Sequence, residues 1–303
     1  MTTHTATAPQ VRTPVSRGTA LLRGLLGWLV MCVGLGIAIG ITTVWEQDFG
    51  LTGIPSHLLR AALMTGLVVP TVLILRSRLD RRSWAGLGWT RRIGPPVALG
   101  LGVGLTSGLL AWAPALLAGW IRVDAIDLGA FAWFLLINGL ALLFYEALPE
   151  ELALRGYAWT NLRDGWGTTT ATVMTTALFP FGGIVITGVA AGVVAALGAD
   201  GAGVSAFPAD PVVYIAQLVP FGLALIAARR MPIRGALFVA VAFHWTQLTV
   251  TRTLLGGMGW VGSGWSTTLV EPDAAALVLV HIILAGAMFV ALRLLLTRAA
   301  SRR

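Results

Sequence analysis

The sequence predicts an all-α, polytopic membrane protein with about eight transmembrane helices enclosing a polar site, and three observations support this fold class. The 303 residues are 56% apolar and only 11% charged, and the mean hydropathy is +0.82. Long apolar segments recur along the chain, and the connections between them alternate between arginine-rich and acidic. A water-soluble globule of this size needs more polar surface. The composition therefore excludes a soluble domain.

The apolar segments are long enough to cross a bilayer as helices, which takes about 20 apolar residues each. Pro70 should kink the second segment, and Pro180 with Gly182 and Gly183 can split the fifth. Residues 1–20, rich in Thr, Pro and Arg, are predicted to form a disordered tail before a membrane domain over 21–298. Within that domain, residues 256–265 are predicted to form a glycine-rich loop. The eight predicted spans are 22–44, 54–75, 95–120, 128–147, 168–198, 212–228, 233–255 and 274–296.

The charges predict the orientation of these spans. All 21 basic residues are arginine, and with 13 acidic residues they give a net charge of +8. They lie between apolar segments rather than along one helix face, which is typical of membrane orientation and not of nucleic-acid binding. Arg60, Arg122 and Arg252 are the exceptions on the acidic side. We therefore expect both termini in the cytoplasm, and membrane lipids rather than nucleic acid as partners.

Two further features of composition bear on location and chemistry. Lysine is absent while Ala, Gly and Arg are abundant, which indicates a high-GC bacterial genome and hence a bacterial cell membrane. Cys32 is the single cysteine and lies in an apolar segment, so an internal disulfide and a cysteine-based metal site are excluded.

Three acids stand at the end of the fourth predicted span, where a charge is costly to keep. Pro149 suits the first turn of a helix over 150–157, in which Glu151 and Arg155 lie on one face and can form an ion pair. Glu150 shares a face with Glu146 if the helix is continuous. Two carboxylates in a poorly hydrated place favour general acid–base chemistry. The alternative is a salt-bridge cluster that anchors the helix end.

His244 stands in the middle of the seventh predicted span, and Gln247 follows three residues later on the same face. Together they can donate hydrogen bonds to a developing oxyanion, as acyl transfer requires. The alternative is a structural hydrogen bond between neighbouring helices. His281 has no polar companion within a turn, so the structural interpretation is favoured there.

Two motifs carry a resemblance to a known family. Glu150-Glu151-x-x-x-Arg155-Gly156 follows Pro149, and residues 221–244 run from Phe-Gly-Leu through Arg-Arg to a histidine. On these motifs, residues 128–255 resemble the CPBP intramembrane proteases, the type II CAAX prenyl endopeptidase or abortive-infection family. The resemblance implies a glutamate-dependent endopeptidase that acts on membrane-associated or prenylated-type peptides. There the first-motif glutamate and a histidine activate water, and a later histidine with an amide stabilises the oxyanion.

The chain departs from the family pattern at two positions. The family's second motif places a histidine four residues after a phenylalanine, whereas Phe179 is followed at that distance by Gly183. The last motif places Asn or Asp four residues after its histidine, and Leu248 stands there, with Gln247 one step earlier. The water-activating histidine is therefore missing.

The family's metalloprotease label implies a divalent metal such as zinc, and Glu150 and His244 are the candidate ligands. A zinc site typically takes three protein ligands, and this region offers only Glu150, Glu151 and His244. The sequence therefore predicts no tight zinc binding.

Three functions follow as hypotheses. The first is an intramembrane peptidase with Glu150 as general base, Glu151 and Arg155 as its supporting pair, and His244 with Gln247 as the oxyanion or water-orienting group. The second is a catalytically silent family member that acts as a membrane binding, immunity or sorting factor. The third, a small-molecule transporter with a proton relay, is disfavoured because the sequence shows no inverted repeat.

Overall fold

The computed structural model describes residues 15–200 and 210–302, and this part of the chain is largely helical. Each of the eight predicted apolar segments forms helix, which confirms the all-α class. Turns of π-helix at Leu75–Leu79, Leu143–Ala147 and Leu152–Ala158 extend or join the helices. The α-helices are α1 (Arg17–Phe49), α2 (Ile54–Ile74), α3 (Gly94–Leu117), α4 (Leu128–Leu142), α5 (Leu148–Glu151), α6 (Trp159–Ala196), α7 (Pro211–Arg229), α8 (Ala236–Leu254) and α9 (Leu277–Ser301).

Six helices in the described ranges are long and apolar enough to cross a membrane, by length and composition. The predicted count of eight is therefore wrong by this measure, for two reasons. The fourth and fifth predicted spans belong to one continuous helical stretch, Leu128–Ala196, in which Gly167 (φ 80°) introduces a kink. Helix α8 is not among the six, since it carries a histidine, a glutamine, an arginine and four threonines. The chain is an all-α polytopic membrane protein.

Of the predicted N-terminal tail over 1–20, residues 1–14 lie outside the described part of the chain. Its last residues are helical rather than part of a tail, because α1 begins at Arg17. The Ser16 side chain caps this helix by accepting a hydrogen bond from the Thr19 amide at 3.1 Å. The membrane domain thus begins earlier than the sequence pattern indicates.

Small residues let the long helices approach closely. Helix α1 packs along α6, where a β-carbon at Gly36 or Gly40 would stand 2.7 Å from the β-carbon of Val189 or Val193. Helix α3 packs along α8 in the same way, since a β-carbon at Gly104 would meet Thr246 at 2.8 Å. Close backbone approach of this kind is a usual source of packing energy between membrane helices.

Two short antiparallel ribbons connect the helices on the acidic side. Strand β1 (Ile121–Ile126) pairs with β4 (Trp265–Leu269), and β2 (Gly257–Met258) pairs with β3 (Val261–Gly262). The sequence analysis predicts a glycine-rich loop here and no strands. Segments of two to six residues are too short to give a clear period-2 signal, so the pairing depends on contacts distant in sequence.

On the side of the arginine-rich connections, a buried carboxylate, that of Asp80, joins the start of α1, the end of α2 and the start of α6. Asp80 Oδ1 accepts from Tyr157 Oη at 3.1 Å and contacts Arg23 Nε at 3.0 Å. Its Oδ2 accepts from Arg76 Nη1 and Asn161 Nδ2, both at 3.2 Å. We refer to these five residues as the Asp80 cluster. It fixes the connection that follows α2 against the start of α6.

Candidate functional site

The two adjacent glutamates lie where the helix changes type. A π-helical turn, Leu143–Ala147, precedes α5, and a longer one, Leu152–Ala158, follows it. Pro149 follows the first π-helical turn inside the continuous helical stretch Leu128–Ala196, so its missing N–H removes one backbone hydrogen bond from the helix instead of marking a helix start. The predicted helix over 150–157 is thus confirmed, although its type was not predicted. Turns of π-helix occur often at functional sites because they turn side chains away from the regular α-helical positions.

Glu151 forms a buried cluster with Arg155 and His244. Its Oε1 accepts from Arg155 Nη1 at 3.1 Å, which confirms the predicted i,i+4 ion pair. The same oxygen lies 3.1 Å from His244 Nδ1, 93 residues away in sequence. All three residues are at most 2% exposed. The Arg155 guanidinium stacks 4.4 Å from the Phe179 ring centre.

This contact assigns the protons of His244. A carboxylate that is paired with a guanidinium only accepts hydrogen bonds, so the hydrogen between it and the imidazole sits on His244 Nδ1. In the neutral ring Nε2 is then the acceptor. An imidazole whose Nδ1–H is held by a carboxylate has a fixed tautomer and orientation. Glu151 is therefore the residue that orients His244.

A cavity of about 580 Å³ lies beside this cluster. Glu150, His244 and Gln247 all line it, and so do Glu146 and Gly183. Glu150 and Glu146 thus face the same space, as a continuous helix requires, while Glu151 is buried behind the wall. His244 contacts Glu151 and not Glu150, and it shares with Glu150 only the lining of this cavity.

Gln247 has hydrogen-bonding capacity left over. Its Nε2 donates to Thr251 Oγ1 at 3.2 Å, and its Oε1 has no partner within the described chain. Leu248, at the position where the family has Asn or Asp, also lines the cavity. The amide therefore reaches the cavity one residue earlier than in the family pattern.

A second polar layer, which reaches the same cavity through Glu46, Arg60 and Glu146, was not predicted from the sequence. Arg252 Nη2 contacts Glu146 Oε1 at 2.7 Å, and Arg60 Nη2 contacts Glu46 Oε1 at 3.3 Å. Arg252 also donates to Asn138 Oδ1 at 3.1 Å. The signal was present, because Arg60 and Arg252 are two of the three arginines that break the charge alternation. They are retained on the acidic side as partners of glutamates.

The remaining candidates lie away from this cavity or do not fit the predicted chemistry. His281 Nε2 donates to the Gly104 carbonyl at 2.9 Å, which agrees with the structural interpretation. Within residues 15–200 and 210–302, no group of three or more His, Cys, Asp or Glu side chains could hold a metal ion. Zinc typically takes three protein ligands, so Glu150 and His244 alone do not fit it.

The chain matches no protein-family model, no curated protein and no solved structure. The resemblance to the CPBP proteases therefore depends on the motif residues in this sequence.

Proposed function

We propose that this protein is an intramembrane endopeptidase of the CPBP type that hydrolyses peptide bonds of membrane-associated or prenylated-type peptides. The observation that carries the proposal is the 3.1 Å contact between Glu151 Oε1 and His244 Nδ1. This contact orients an imidazole that lines the same cavity as Glu150. The cavity volume of about 580 Å³ falls in the range of cavities that hold ligands.

The chemistry follows from the protons that these groups can carry. Glu150 takes one proton from a water molecule whose oxygen attacks the peptide carbonyl. His244 Nε2 accepts a hydrogen bond from the water's other O–H group and so orients the water molecule. The Gln247 amide donates a hydrogen bond to the oxyanion. Glu150 then returns its proton to the leaving amine as the C–N bond breaks. Glu151 and Arg155 are positioning residues, since neither lines the cavity.

A substitution of the histidine tests this function. The full chain in proteoliposomes is incubated with matched peptides that carry or lack a prenyl group, and products are identified by mass spectrometry. We expect cleavage by the native chain and a loss of about 100-fold or more in His244→Ala. His281→Ala is the matched control, because it removes a buried imidazole outside the cavity. Equal rates in the two variants, or no cleavage by the native chain, would refute the peptidase.

One observation favours a second candidate, a silent family member that binds a peptide without cleaving it. Gly183 lines the cavity at the position where the family has its water-activating histidine, and glycine offers no acid–base group there. For an immunity or sorting factor we expect the peptide to bind saturably without forming product. His244→Ala should then abolish this binding.

For the location we propose a bacterial cell membrane with both termini and the arginine-rich connections in the cytoplasm. Cysteines at Ala85 and Gly259 test this orientation after Cys32 is replaced by alanine. Ala85 is exposed, and a side chain at Gly259 would meet open space. An impermeant maleimide added to intact cells should label the Gly259→Cys variant only. Labelling of both from one side would contradict the proposed orientation.

A further inference from the structure

A second cavity, of about 280 Å³, lies on the side of the arginine-rich connections, between the end of α2 and the start of α6. Four arginines line it, Arg76, Arg81, Arg82 and Arg163, and Asp164 is the single acidic residue of the lining. We propose that this cavity binds a phosphate group, carried either by an anionic lipid headgroup or by a soluble phosphate compound. We refer to it as the arginine pocket.

The positive charge of the pocket exceeds what its carboxylates can neutralise. Asp164 contacts two of the arginines, with Oδ2 2.6 Å from Arg82 Nη1 and Oδ1 2.9 Å from Arg163 Nη2. Arg76 is paired with Asp80. Arg81 forms no ion pair with any described residue. An anion in the pocket would therefore complete a set of partners that the protein leaves open.

Arg229 adds a buried charge directly behind the pocket wall. It is 8% exposed, and its Nη2 donates to the carbonyl of Gly86, a residue that lines the pocket, at 3.5 Å. Its Nε has no hydrogen-bond partner, and no carboxylate of the described chain pairs with it. A guanidinium kept so far from water without a counter-charge is expensive unless an anion lies nearby.

Two observations independent of charge also point to a ligand. Thr160 lines the pocket and is 1% exposed, and its Oγ1 has no partner among the residues described. This hydroxyl is free to donate to an anion's oxygen. Arg81 adopts a φ of 54°, a left-handed conformation that a residue with a side chain rarely takes. Strained residues of this kind cluster at ligand sites.

The chemistry selects phosphate among anions. The planar guanidinium forms paired hydrogen bonds to two phosphate oxygens, and several arginines around one small cavity match a group with three or four such oxygens. Basic pockets at the ends of membrane helices are a known setting for phospholipid headgroups. The cavity is near the lower end of ligand-site volumes, which suits a headgroup-sized ligand.

The test measures thermal unfolding of the full chain in a neutral detergent. One arm adds inorganic phosphate, a second adds short-chain phosphatidylglycerol, and a third adds zwitterionic phosphatidylcholine. The variants are Arg81→Gly, which removes the guanidinium and relieves the positive φ, and Thr160→Val, which removes only the hydroxyl. Arg78→Ala is the control, because Arg78 is an exposed arginine two residues from Arg76 that does not line the pocket.

We expect phosphatidylglycerol to raise Tm more than phosphatidylcholine does, and Arg81→Gly to weaken its binding about tenfold while Arg78→Ala does not. Thr160→Val should weaken it less. Stabilisation by inorganic phosphate with the same dependence on Arg81 also supports the site and assigns it to a soluble compound. The proposal is overturned if neither phosphate nor phosphatidylglycerol stabilises the chain beyond phosphatidylcholine, or if Arg78→Ala and Arg81→Gly weaken binding equally.

Discussion

The protein contains two buried clusters in which a carboxylate is paired with one or two guanidiniums, and they differ in how completely the carboxylate is paired. In the Asp80 cluster both carboxylate oxygens have two partners each. In the Glu151 cluster Oε1 has two partners, but Oε2 has none within the described chain, and Arg155 Nε and Nη2 are also unpaired. Only the second cluster borders the large cavity, through His244.

This difference separates structural from functional use of buried charge. A fully paired carboxylate repays its desolvation with hydrogen bonds and locks neighbouring helices together. A partly paired one is costly, and natural proteins keep such groups mainly where chemistry or binding needs them. One π-helical segment, Leu152–Ala158, supplies Arg155 to one cluster and Tyr157 to the other. The Asp80 cluster is therefore linked through a shared backbone to the cluster that the proposed function uses.

The largest expected effect is on catalysis at the cavity. Glu150→Gln keeps the shape of the side chain and removes its ability to take a proton, so we expect peptide cleavage to fall by about 100-fold to 10,000-fold. The Tm should stay close to that of the native chain, because Glu150 forms no ion pair in the described structure. Rate and Tm are measured on the same preparation. A parallel loss of folded protein would favour the helix-end anchor instead.

The next effect is on stability, and it compares the two clusters directly. Asp80→Asn turns one acceptor into a donor that faces donors, and leaves Arg76 buried without its counter-ion, so we expect a loss of about 3–5 kcal/mol. Glu151→Gln is the matched change: it also leaves a buried arginine, Arg155, without its counter-ion, but its new NH₂ group can take the Oε2 position, which receives no hydrogen bond in the described chain. We expect a smaller loss, about 1–3 kcal/mol. Chemical unfolding in detergent measures both. A loss in Glu151→Gln as large as in Asp80→Asn would remove the distinction between the clusters.

A third prediction restores the missing group. Gly183→His places an imidazole on the cavity wall, and we expect the cleavage rate to rise by up to about 100-fold and still to require Glu150. Gly188→His, on the same helix, is the control, because a β-carbon there would meet open space. If the native chain already cleaves rapidly and Gly183→His adds nothing, another group supplies the role of the missing histidine, and the match of the fifth predicted span to the family is wrong.

The features that could be predicted from the sequence are the local ones. The helical segments follow from apolar length, and the Glu151–Arg155 pair follows from i,i+4 spacing, which any helix of this type brings together. The His244 contact spans 93 residues and depends on how α8 packs, which spacing alone does not determine. The Asp80 cluster is not predictable for a similar reason, because the sequence pattern identifies Arg23 and Arg76 only as charges that set orientation.

The smallest expected effect concerns Asp124, an exposed carboxylate that contrasts with both buried clusters. The hydrogen bond from Thr268 Oγ1, at 2.7 Å, and the one from Arg122 hold the pKa of Asp124 below its ordinary value. A carboxylate with a lowered pKa in the folded state adds stability above its unfolded pKa, about 3.9, and this stability disappears as the pH falls through the folded value. Solvent screens an exposed pair, so the contribution is small.

Asp124→Asn should therefore lower Tm slightly at pH 7, and the difference from the native chain should shrink as the pH falls below the ordinary Asp pKa of about 3.9 and through the lowered folded value. Thr268→Val is the matched change, because it removes the hydrogen bond that lowers the pKa of Asp124 most and leaves the carboxylate in place. It should reproduce most of the small loss at pH 7, since the strand pairing of β1 with β4 does not depend on either side chain. A Tm difference that stays constant between pH 7 and pH 3 would mean that Asp124 acts through shape rather than charge. In that case the charge of exposed Asp124 would add no stability, and only the buried carboxylates, Asp80 and Glu151, would stabilise the fold through their charge.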